Sequence, residues 1–491
     1  MPSRSNHIWN RSLMRSLVKE GHNVTALSVE TDKPSKNLHY IPLDGVNEKI
    51  QQMYNNVDYE SISDYMQLIN ILAMYEFFNL VCKTALQSEG VKVLLNYPRD
   101  SFDLVIHDYT CGQCLLGFVN YFNNPPLISI TPLSTPTYTL FVSGNTHFPS
   151  YMVHPSSKYD GPMTFVQRAV NLFLHAAEWM YRTFVFMRHE NLRAREFFGE
   201  YIVKNLESIE QNTSVVFTNS DPNLDMSHPL MPNIIPLAGL HIQKPSIKNI
   251  PEKILKFLNE SSNGAVLFSL GNGIRSELMS EEKIEMFLDA FGKLSEYRFV
   301  WKFGNESLIK KLPTNVIIHK WIPQNDILAH RNVRLFISHA GLLSIQEAVY
   351  NAVPILGLPF FADQHKNIHK TSRDNVSLTL DYNTITSEVL QTKIRQMLTD
   401  SSFQRNMGKL SARFHDNLNT PVERAFHWVS YVLKHDGALH MRSPSVGMSL
   451  KKLLMFDVLS LLVLVVLIIA FIVYRIIRFL GIGQRPKRKR D

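Results

Sequence analysis

The stretch from Trp321 to Gln364 constrains the fold of this chain more than any other. Two apolar runs of strand length, VRLFIS at 333–338 and VPILGLP at 353–359, flank LLSIQEAVYNA, whose spacing predicts one short helix. Continuous apolar runs are typical of parallel strands that are buried on both faces. We therefore expect a strand, helix, strand unit. In such a unit the turn at 339–341 lies at the carboxyl end of a strand, where the amino end of the next helix favours phosphate.

Alternating apolar runs and helical segments extend this pattern over the rest of the chain. At 491 residues the chain is long enough for two domains that each bury a core. The patterns predict helices at 59–87 and 164–198, and strands at 24–29, 38–43, 102–108, 125–132, 214–220, 264–271, 297–303 and 315–322. We therefore expect an α/β fold with parallel sheets.

A proline-rich segment separates the two halves of the chain. Pro232–Glu252 holds four prolines and shows no sustained periodicity, so it predicts the connection between two domains. We expect the first domain at 1–240 and the second at 241–440.

The positive charge is concentrated at the carboxyl end. The formal net charge is +8, but the last 17 residues hold seven basic residues against Asp491, which leaves only +2 for residues 1–474. A nearly neutral body argues against a nucleic-acid partner.

Three cysteines, at 82, 111 and 114, are too few for a disulfide framework in a chain of this size. Cys111 and Cys114 have the spacing of a redox pair, but we expect both to pack as small apolar residues at the start of a helix. A redox pair is the alternative. Two thiols without nearby histidines do not complete a zinc site, so no metal is expected.

A membrane-spanning helix is predicted near the carboxyl end. Residues 458–474 carry no charge, and 453–474 is long enough to cross about 30 Å of hydrocarbon if Asp457 lies at the interface. The basic tail at 475–491 then faces the cytosol, and the body lies in a lumen or outside. The ending Arg-Lys-Arg-Asp resembles an endoplasmic-reticulum retrieval signal; a solvated cluster that anchors the helix is the alternative.

The amino end lacks the apolar run of a signal peptide, which a luminal body requires. Residues 13–29 predict a helix followed by a second strand. We therefore expect the signal peptide and the first strand of the first domain to be missing from this sequence. Six Asn-x-Ser/Thr sequons permit glycosylation in a lumen, with Asn259 and Asn305 best placed in loops.

The segment 164–198 is dense in aromatic residues and methionine. Such a stripe packs in a core more often than it lines a pocket, although part of it could line an apolar acceptor cleft.

The motifs of the second half resemble the signature of the UDP-glycosyltransferases. Trp321, Pro-Gln at 323–324, His339 with Gly341, Glu347 and Asp-Gln at 363–364 all fall at the family's positions. The membrane helix and tail are similar to those of the animal branch, and insect members are the most similar. The resemblance implies a GT-B type fold, with two Rossmann-like domains facing across a cleft. It also implies a UDP-sugar as co-substrate, with no cofactor.

Three residues suit the uridine part of that donor. Trp321 can stack on uracil, unless it is a core tryptophan. Gln324 can bond base or ribose edges, and the Glu347 carboxylate can accept two hydroxyls of a ribose, unless it is a solvated helix charge.

Further residues suit the phosphates and the sugar. His339 and Gly341 lie where pyrophosphate would bind, although a lone histidine is often structural. The other expected donor-binding residues are Ser269, Ser344, Asp363 and Gln364. The family often has a second glycine after the histidine and an asparagine or glycine before the helix, where this chain has Ala340, Leu343 and Ser344.

Transfer to a hydroxyl needs a base, and histidine is the usual choice. The resemblance implies a histidine in the loop after the first strand, oriented by an aspartate at the position of Asp108. Counting back from His22 without gaps places that histidine on Asn6, with His7 beside it. Either His7 is the base with Asp108, or the dyad is broken.

Two hypotheses follow. The first is an inverting, metal-independent transferase that moves a hexose, glucose before glucuronic acid, to a small lipophilic acceptor in the endoplasmic-reticulum lumen. The second is a non-catalytic relative that binds UDP-sugar or apolar ligands, or forms oligomers with active paralogues. Asn6 favours the second, and the intact donor motif favours the first.

Overall fold

The structure is a computed structural model that describes residues 3–55, 67–110, 112–157, 159, 162–361 and 363–480. The chain divides into two compact units, Met1–Arg442 and Ser443–Asp491. All strands of the described residues lie in the first unit. The start of the predicted helix at 59–66, Cys111 and the tail beyond residue 480 lie outside the described residues.

The first half of the chain forms two separate parallel sheets. One has the order β1-β2, and the other has the order β3-β4-β5-β6. The strands are β1 (Val24–Ser28), β2 (Leu38–Pro42), β3 (Val105–Asp108), β4 (Leu127–Thr131), β5 (Thr213–Thr218) and β6 (Ile234–Pro236). The helices are α1 (Arg4–Lys19), α2 (Val46–Asn55), α3 (Gln67–Gln87), α4 (Glu89–Leu95), α5 (Gly117–Tyr121), α6 (Thr139–Ser143), α7 (Phe165–Tyr181), α8 (Met187–Phe198) and α9 (Leu206–Glu210).

The second half forms one six-stranded parallel sheet with the order β12-β11-β10-β7-β8-β9. The strands are β7 (Ala265–Ser269), β8 (Arg298–Lys302), β9 (Val316–His319), β10 (Val333–Ser338), β11 (Ile355–Gly357) and β12 (Ser377–Thr379). The helices are α10 (Glu252–Asn259), α11 (Glu281–Gly292), α12 (Gln324–Leu328), α13 (Leu342–Tyr350), α14 (Gln364–Arg373), α15 (Ser387–Thr399), α16 (Ser401–His415) and α17 (Pro421–Lys434). Apolar clusters cover both faces, as the near-continuous apolar strands predict.

The predicted strands all occur: β10 has its predicted bounds, β5 begins one residue earlier and ends two earlier, and the others are shortened by one to a few residues at their ends. Two short edge strands, β6 and β12, were not predicted. The segment Pro232–Glu252 was predicted as a connection only, but its Ile234 and Ile235 are buried and pair with β5. Pro232 and Pro236 lie on either side of Ile234 and Ile235 and interrupt the apolar pattern by which a strand is predicted. Prolines are tolerated here because β6 is an edge strand.

Helix α17 lies within the predicted second domain, yet it packs on the first half. Its Ala425 and Val429 share a buried cluster with Trp9 and Leu13 of α1. The chain therefore crosses back to the first half before the second unit begins.

The aromatic segment 164–198 is divided between core and surface. Helices α7 and α8 are joined by a π-helical turn at Arg182–Phe186, where Phe186 is buried. On α7, however, Phe165 is 76% exposed and Phe173 is 56% exposed. The core interpretation therefore holds for only one face of the segment.

A disulfide joins Cys82 of α3 to Cys114. The prediction that Cys114 packs as a free apolar thiol is wrong, because the fold brings it beside a cysteine 32 residues away in the chain. The two sulfurs lie near the buried Glu190 carboxylate, which accepts hydrogen bonds from the backbone N–H of Gln113 and Cys114. With both thiols in the disulfide, this group does not offer a metal its sulfur ligands.

The second unit contains α18 (Leu450–Leu453) and α19 (Phe456–Phe479). Helix α19 has 24 residues and a mean hydropathy of 3.1 in its most apolar part, with none of that part buried. It is long and apolar enough to cross a membrane. Helix α3 is also long and apolar enough to cross a membrane, but 44% of its most apolar part is buried in the first unit.

Candidate functional site

The carboxyl edge of the second sheet brings together residues from three neighbouring strands. Ser269 ends β7, Ser338 ends β10, and the two residues pair in register. Lys302 ends β8 on the other side of β7. Because the strands are parallel, the turns that follow them converge at one edge, where ligands of open α/β sheets bind.

The ring of His339 lies between two glycines. A Cβ at Gly271 would come within 2.6 Å of His339 Cε1, and a Cβ at Gly341 would overlap Nε2. Ala340, between His339 and Gly341, has a left-handed φ of +63°, a conformation that glycine adopts most readily. The backbone of two turns therefore sets the position of this imidazole.

His339 is neutral and has an unused ring nitrogen. Burial, with a smaller effect from the Lys302 charge, lowers its pKa to about 4. Its Nδ1 is buried and has no hydrogen-bond partner within the part of the chain that the structure describes. Buried polar atoms are nearly always paired in a folded protein, so this atom is suited to meet a ligand oxygen. The role of His339 in binding a ligand stays a prediction.

Lys302 is a site residue that the sequence analysis missed. Its Nζ donates to the Gly271 carbonyl at 2.6 Å and to Asn272 Oδ1 at 2.7 Å, and burial lowers its pKa. The ammonium therefore lies on the same turn that contacts His339. A lysine at the end of the apolar run YRFVWKF was the available indication, since polar residues that end buried strands face the binding edge.

Trp321 lies between β9 and α12, and the residue is 62% exposed. The turn is held by the His319 ring, which contacts the backbone N–H and carbonyl of Trp321. A large exposed aromatic face is unusual for tryptophan, and it excludes the core alternative. The exposed face is available for stacking.

Gln324, Ser344 and Glu347 form one hydrogen-bonded group. Gln324 Nε2 donates to Ser344 Oγ at 3.0 Å and to Glu347 Oε2 at 2.6 Å. The Glu347 side chain is only 16% exposed, and burial raises its pKa to about 7. It is therefore not the solvated helix charge of the alternative interpretation. His241, which the sequence analysis missed, has its Nε2 3.8 Å from Glu347 Oε1.

Asp363 and Gln364 begin helix α14. Gln364 Oε1 accepts hydrogen bonds from the N–H groups of Phe360 and Phe361, so this oxygen shapes the loop. Burial raises the pKa of Asp363, whose Oδ2 accepts from Asn367 Nδ2 at 2.8 Å. Ser269 Oγ likewise accepts from the Gly271 N–H at 3.3 Å. These groups hold the turns that surround His339.

The predicted base His7 and its neighbour Asn6 lie in the first half, on a helix and not in a loop. Asn6 and His7 are in the first turns of α1 and are buried. His7 Nε2 is 3.2 Å from Asp32 Oδ2, and its Nδ1 is 3.5 Å from Ser28 Oγ. The expected loop placement of His7 is therefore wrong, and the carboxylate that faces its ring is Asp32.

Asp108 ends β3 and bonds to a different residue of α1. Its Oδ2 accepts from Asn10 Nδ2 at 2.9 Å, and its Oδ1 accepts from the Thr110 N–H at 3.1 Å. The structure thus brings Asp108 to the same helix as His7, but the residue that it holds is Asn10.

Asp32 was not predicted as a site residue. Besides His7, its carboxylate accepts hydrogen bonds from Arg11 at 3.2 Å and from the Tyr40 hydroxyl at 3.3 Å. This cluster joins α1 to the loop after β1. Contacts between a loop and residues distant in the chain give no periodic pattern in a sequence, so no indication of this cluster was available.

The two halves meet near these sites. Gln346 of α13 donates to the Asn219 carbonyl at 3.2 Å, and Lys366 of α14 reaches Ser134 Oγ at 3.3 Å. Asn219 and Ser134 follow strands β5 and β4. The carboxyl edges of the two parallel sheets therefore face each other.

Two α/β halves that meet at the carboxyl ends of their strands are the arrangement of the GT-B class of glycosyltransferases. Solved structures of this class match the chain. The glycosyltransferase of kitacinnamycin has a TM-score of 0.61 at 16% identity, covering 87% of this chain and 96% of that one. Os79 from O. sativa, solved in complex with U2F and trichothecene, has a TM-score of 0.55 at 15% identity, covering 87% and 98%. At these identities the likeness shows the fold.

The family model for UDP-glucoronosyl and UDP-glucosyl transferase matches residues 4–485, and the chain belongs to this family of UDP-glycosyltransferases. UDP-glucosyltransferase 2 of Dactylopius coccus is 33% identical over 464 residues, covering 94% of this chain and 87% of that protein. Human UDP-glucuronosyltransferase 2B15 is 27% identical, covering 94% and 89%.

Proposed function

We propose that this UDP-glycosyltransferase moves glucose from UDP-glucose to a hydroxyl of a small lipophilic acceptor, with inversion and without a metal. The observation that supports binding of the UDP-sugar donor is the group of residues around His339. A neutral imidazole with an unused nitrogen lies beside the Lys302 ammonium, at a strand edge suited to pyrophosphate. The exposed Trp321 and the Gln324–Glu347 pair supply the stacking face and hydroxyl acceptors for uridine.

Names of similar proteins support glucose as the sugar. The insect relative at 33% identity is called a glucosyltransferase, whereas the human relative at 27% is called a glucuronosyltransferase. The expected hexose contacts, Asp363 and Gln364, offer a carboxyl and an amide, which suit hydroxyl groups.

For the chemical step we propose His7 as the base. Burial lowers the pKa of His7 although Asp32 opposes this, so its imidazole is neutral near pH 7 and able to accept a proton. With Nε2 held by Asp32, Nδ1 is the nitrogen that takes the acceptor proton. Asp108 then acts through Asn10, which it holds at 2.9 Å, as a positioning residue.

A specific observation keeps the second hypothesis open. Asn6 stands where the family resemblance implies the catalytic histidine, and an amide does not take a proton at neutral pH. Its Nδ2 is buried without a hydrogen-bond partner among the residues that the structure describes. A chain with an intact donor site and no base would bind UDP-sugar and pair with active paralogues.

We further propose that the protein is a single-pass protein of the endoplasmic-reticulum membrane, with its body in the lumen. Helix α19 and the basic residues that follow it support this orientation. The disulfide between Cys82 and Cys114 supports an oxidising compartment for the body. Protease protection of the body in sealed microsomes tests the orientation; digestion without detergent would contradict it.

The activity is tested by UDP release from microsomes that contain the full chain, with UDP-glucose or UDP-glucuronic acid and a panel of phenols. We expect release with UDP-glucose, a loss of at least about 100-fold on His7→Ala, and a smaller loss on Asp108→Ala. Binding of UDP-glucose with no release would favour the non-catalytic relative. In that case Asn6→His is the informative variant, because gain of activity would locate the defect at this position.

A further inference from the structure

A histidine of the segment that connects the two halves lies beside the carboxylate of Glu347. His241 belongs to the turn that follows β6, and its side chain is only 1% exposed. Its ring Nε2 lies 3.3 Å from the Leu343 carbonyl and 3.8 Å from Glu347 Oε1. Because Leu343 and Glu347 are one helical turn apart, the imidazole stands over the turn of α13 that presents the carboxylate.

The position of His241 is fixed by contacts with both halves. The N–H of Gly239 donates to Gln346 Oε1 of α13 at 3.1 Å, and Gln346 Nε2 donates to the Asn219 carbonyl after β5 at 3.2 Å. Leu240 is buried in the same apolar cluster as residues of β4 and β5. The turn is therefore attached to the first sheet on one side and to α13 on the other.

The ring of His241 carries one proton, and this proton is on Nε2. Burial lowers the pKa of His241 to about 4, so the ring is neutral at pH 7. A carbonyl oxygen can only accept a hydrogen bond, so the nitrogen that faces Leu343 is the donor. Nδ1 then keeps a lone pair; it is buried and has no hydrogen-bond partner among the residues that the structure describes.

Packing alone does not account for a histidine at this position. The Leu343 carbonyl lies within α13, where a carbonyl already accepts from the N–H group four residues later. An apolar side chain of similar size would fill the same space without burying an unpaired Nδ1. What only the imidazole supplies is an N–H group close to the Glu347 carboxylate.

Gln324 and His241 approach different oxygens of that carboxylate. Gln324 donates to Oε2 at 2.6 Å, whereas the 3.8 Å between His241 Nε2 and Oε1 is longer than a hydrogen bond. The terminal torsion of a glutamate has a broad minimum, so a bond to one oxygen alone leaves the plane of the carboxylate adjustable. Bonds to both oxygens would fix this plane. Each oxygen would still have a lone pair for a ligand hydroxyl.

We propose that His241 is a positioning residue of the donor site, whose Nε2–H bonds to Oε1 when a UDP ligand binds and sets Glu347 to accept both ribose hydroxyls. This inference rests on the proposed binding of UDP-glucose. Hydrogen bonds of an active site are often long in the free protein and shorten in the complex. A movement of about 1 Å brings Nε2 and Oε1 within bonding distance. Recognition of the ribose by the second half thus depends on the segment that joins it to the first.

The test is titration calorimetry of the full chain in detergent with UDP and with 2′,3′-dideoxyuridine diphosphate, which lacks both ribose hydroxyls. His241→Phe removes the N–H group and keeps a ring. We expect it to lower UDP affinity by about 10-fold or more, the effect of a hydrogen bond to a charged group. Its affinity for the dideoxy ligand should not change. His241→Gln, which keeps an N–H donor, should retain most of the UDP affinity.

Two further variants separate positioning from packing. His330→Phe is the matched control, because it removes another buried imidazole at the amino end of β10, opposite to the donor edge. It should leave the affinities for both ligands unchanged. With Glu347→Gln already in place, His241→Phe should cause no further loss of UDP affinity, since its effect passes through Glu347. Urea titration shows whether each variant folds, and His241→Leu replaces His241→Phe if the larger ring prevents folding.

Equal losses of affinity for UDP and for the dideoxy ligand would overturn the proposal, because His241 would then have a structural role only. An additive loss in the double variant, or normal UDP affinity in a folded His241→Phe variant, would overturn it as well. A wild type that binds both ligands equally well would exclude recognition of the ribose but leave the phosphate site intact. Failure of the wild type to bind UDP would instead contradict the proposed function itself.

Discussion

Gln324 Nε2 donates a hydrogen bond to Glu347 Oε2 at 2.6 Å, which joins the first residue of α12 to the middle of α13. The two side chains therefore act as one unit. The Gln324 amide fixes the orientation of the Glu347 carboxylate, and burial raises the pKa of Glu347 to about 7. Proton uptake by Glu347 thus falls within the physiological range.

Glu347→Gln should change how stability depends on pH. The pKa of Glu347 rises from 4.5 to about 7 on folding, so the folded state binds more protons than the unfolded state between these values. This group therefore lowers the free energy of unfolding as pH rises through that window, by on the order of 3 kcal/mol. We expect the variant to gain stability relative to the wild type between about pH 5 and about pH 8 in urea titrations. A constant difference over this range would contradict the raised pKa.

Gly341→Ala should displace His339, because the new methyl group would occupy the position of the ring. We expect UDP affinity to fall by about 10-fold or more, with a loss of about 1–3 kcal/mol in stability. Gly273→Ala is the matched control, since a Cβ there meets nothing within 4 Å. Isothermal titration with UDP measures both variants. Equal affinities would show that the imidazole position does not matter for binding.

Trp321→Ala should weaken UDP binding without affecting folding. Stacking of a base on an aromatic ring is worth about 1–3 kcal/mol, so the dissociation constant should rise by about 5- to 150-fold. Because Trp321 is 62% exposed, the free energy of unfolding should change by less than about 0.5 kcal/mol. Trp321→Phe keeps a stacking face and should retain most of the affinity. An alanine variant that binds UDP normally would remove this residue from the donor site.

Lys302→Gln should weaken the binding of UDP but not of uridine. Its ammonium lies at the turn beside His339, so its removal should reduce only the affinity for ligands that carry the pyrophosphate. A charged hydrogen bond of about 1.5–3 kcal/mol corresponds to about a 10- to 150-fold loss of UDP affinity. Lys310→Gln is the control, because the Lys310 ammonium lies in exposed ion pairs with Glu281 and Glu285. An equal loss for uridine would indicate a general disturbance of the fold.

Replacement of both Cys82 and Cys114 by alanine should destabilise the first unit by about 2–4 kcal/mol, the usual contribution of a disulfide. Denaturant titration of the variant and of the oxidised wild type gives this difference. Alkylation before and after reduction, followed by mass spectrometry, checks the bond itself. Two thiols that alkylate without reductant would show that the bond does not form.

The sequence predicts most strands well because a strand buried on both faces must be apolar throughout. VRLFIS at 333–338 coincides with β10 at both ends. That residues such as Ser269 and His339 would meet at one edge was also predictable, since parallel strands bring the turns after them to the same edge; their role in binding the donor stays a prediction. The division of the first unit at residue 240 stays a prediction.

Contacts between distant parts of the chain were not predictable. The bond between Cys82 and Cys114 and the pairing of His7 with Asp32 depend on how helices pack, which no local spacing encodes. The sequence expectation placed His7 in a loop, whereas the structure continues α1 back to Arg4. Lys302 was missed for another reason: a single lysine in an apolar strand has no motif around it.

The charged residues of α19 limit how much of it can enter a bilayer. Asp457 and Arg475 bracket 17 uncharged residues, which as a helix measure about 26 Å. The hydrocarbon layer of the endoplasmic reticulum is about 27 Å thick, and that of the plasma membrane about 32–33 Å. In the thicker membrane this helix would be several ångströms too short, and hydrophobic mismatch costs a fraction of a kcal/mol for each ångström. If α19 spans a membrane, its uncharged length therefore matches the hydrocarbon layer of the endoplasmic reticulum more closely than that of the plasma membrane.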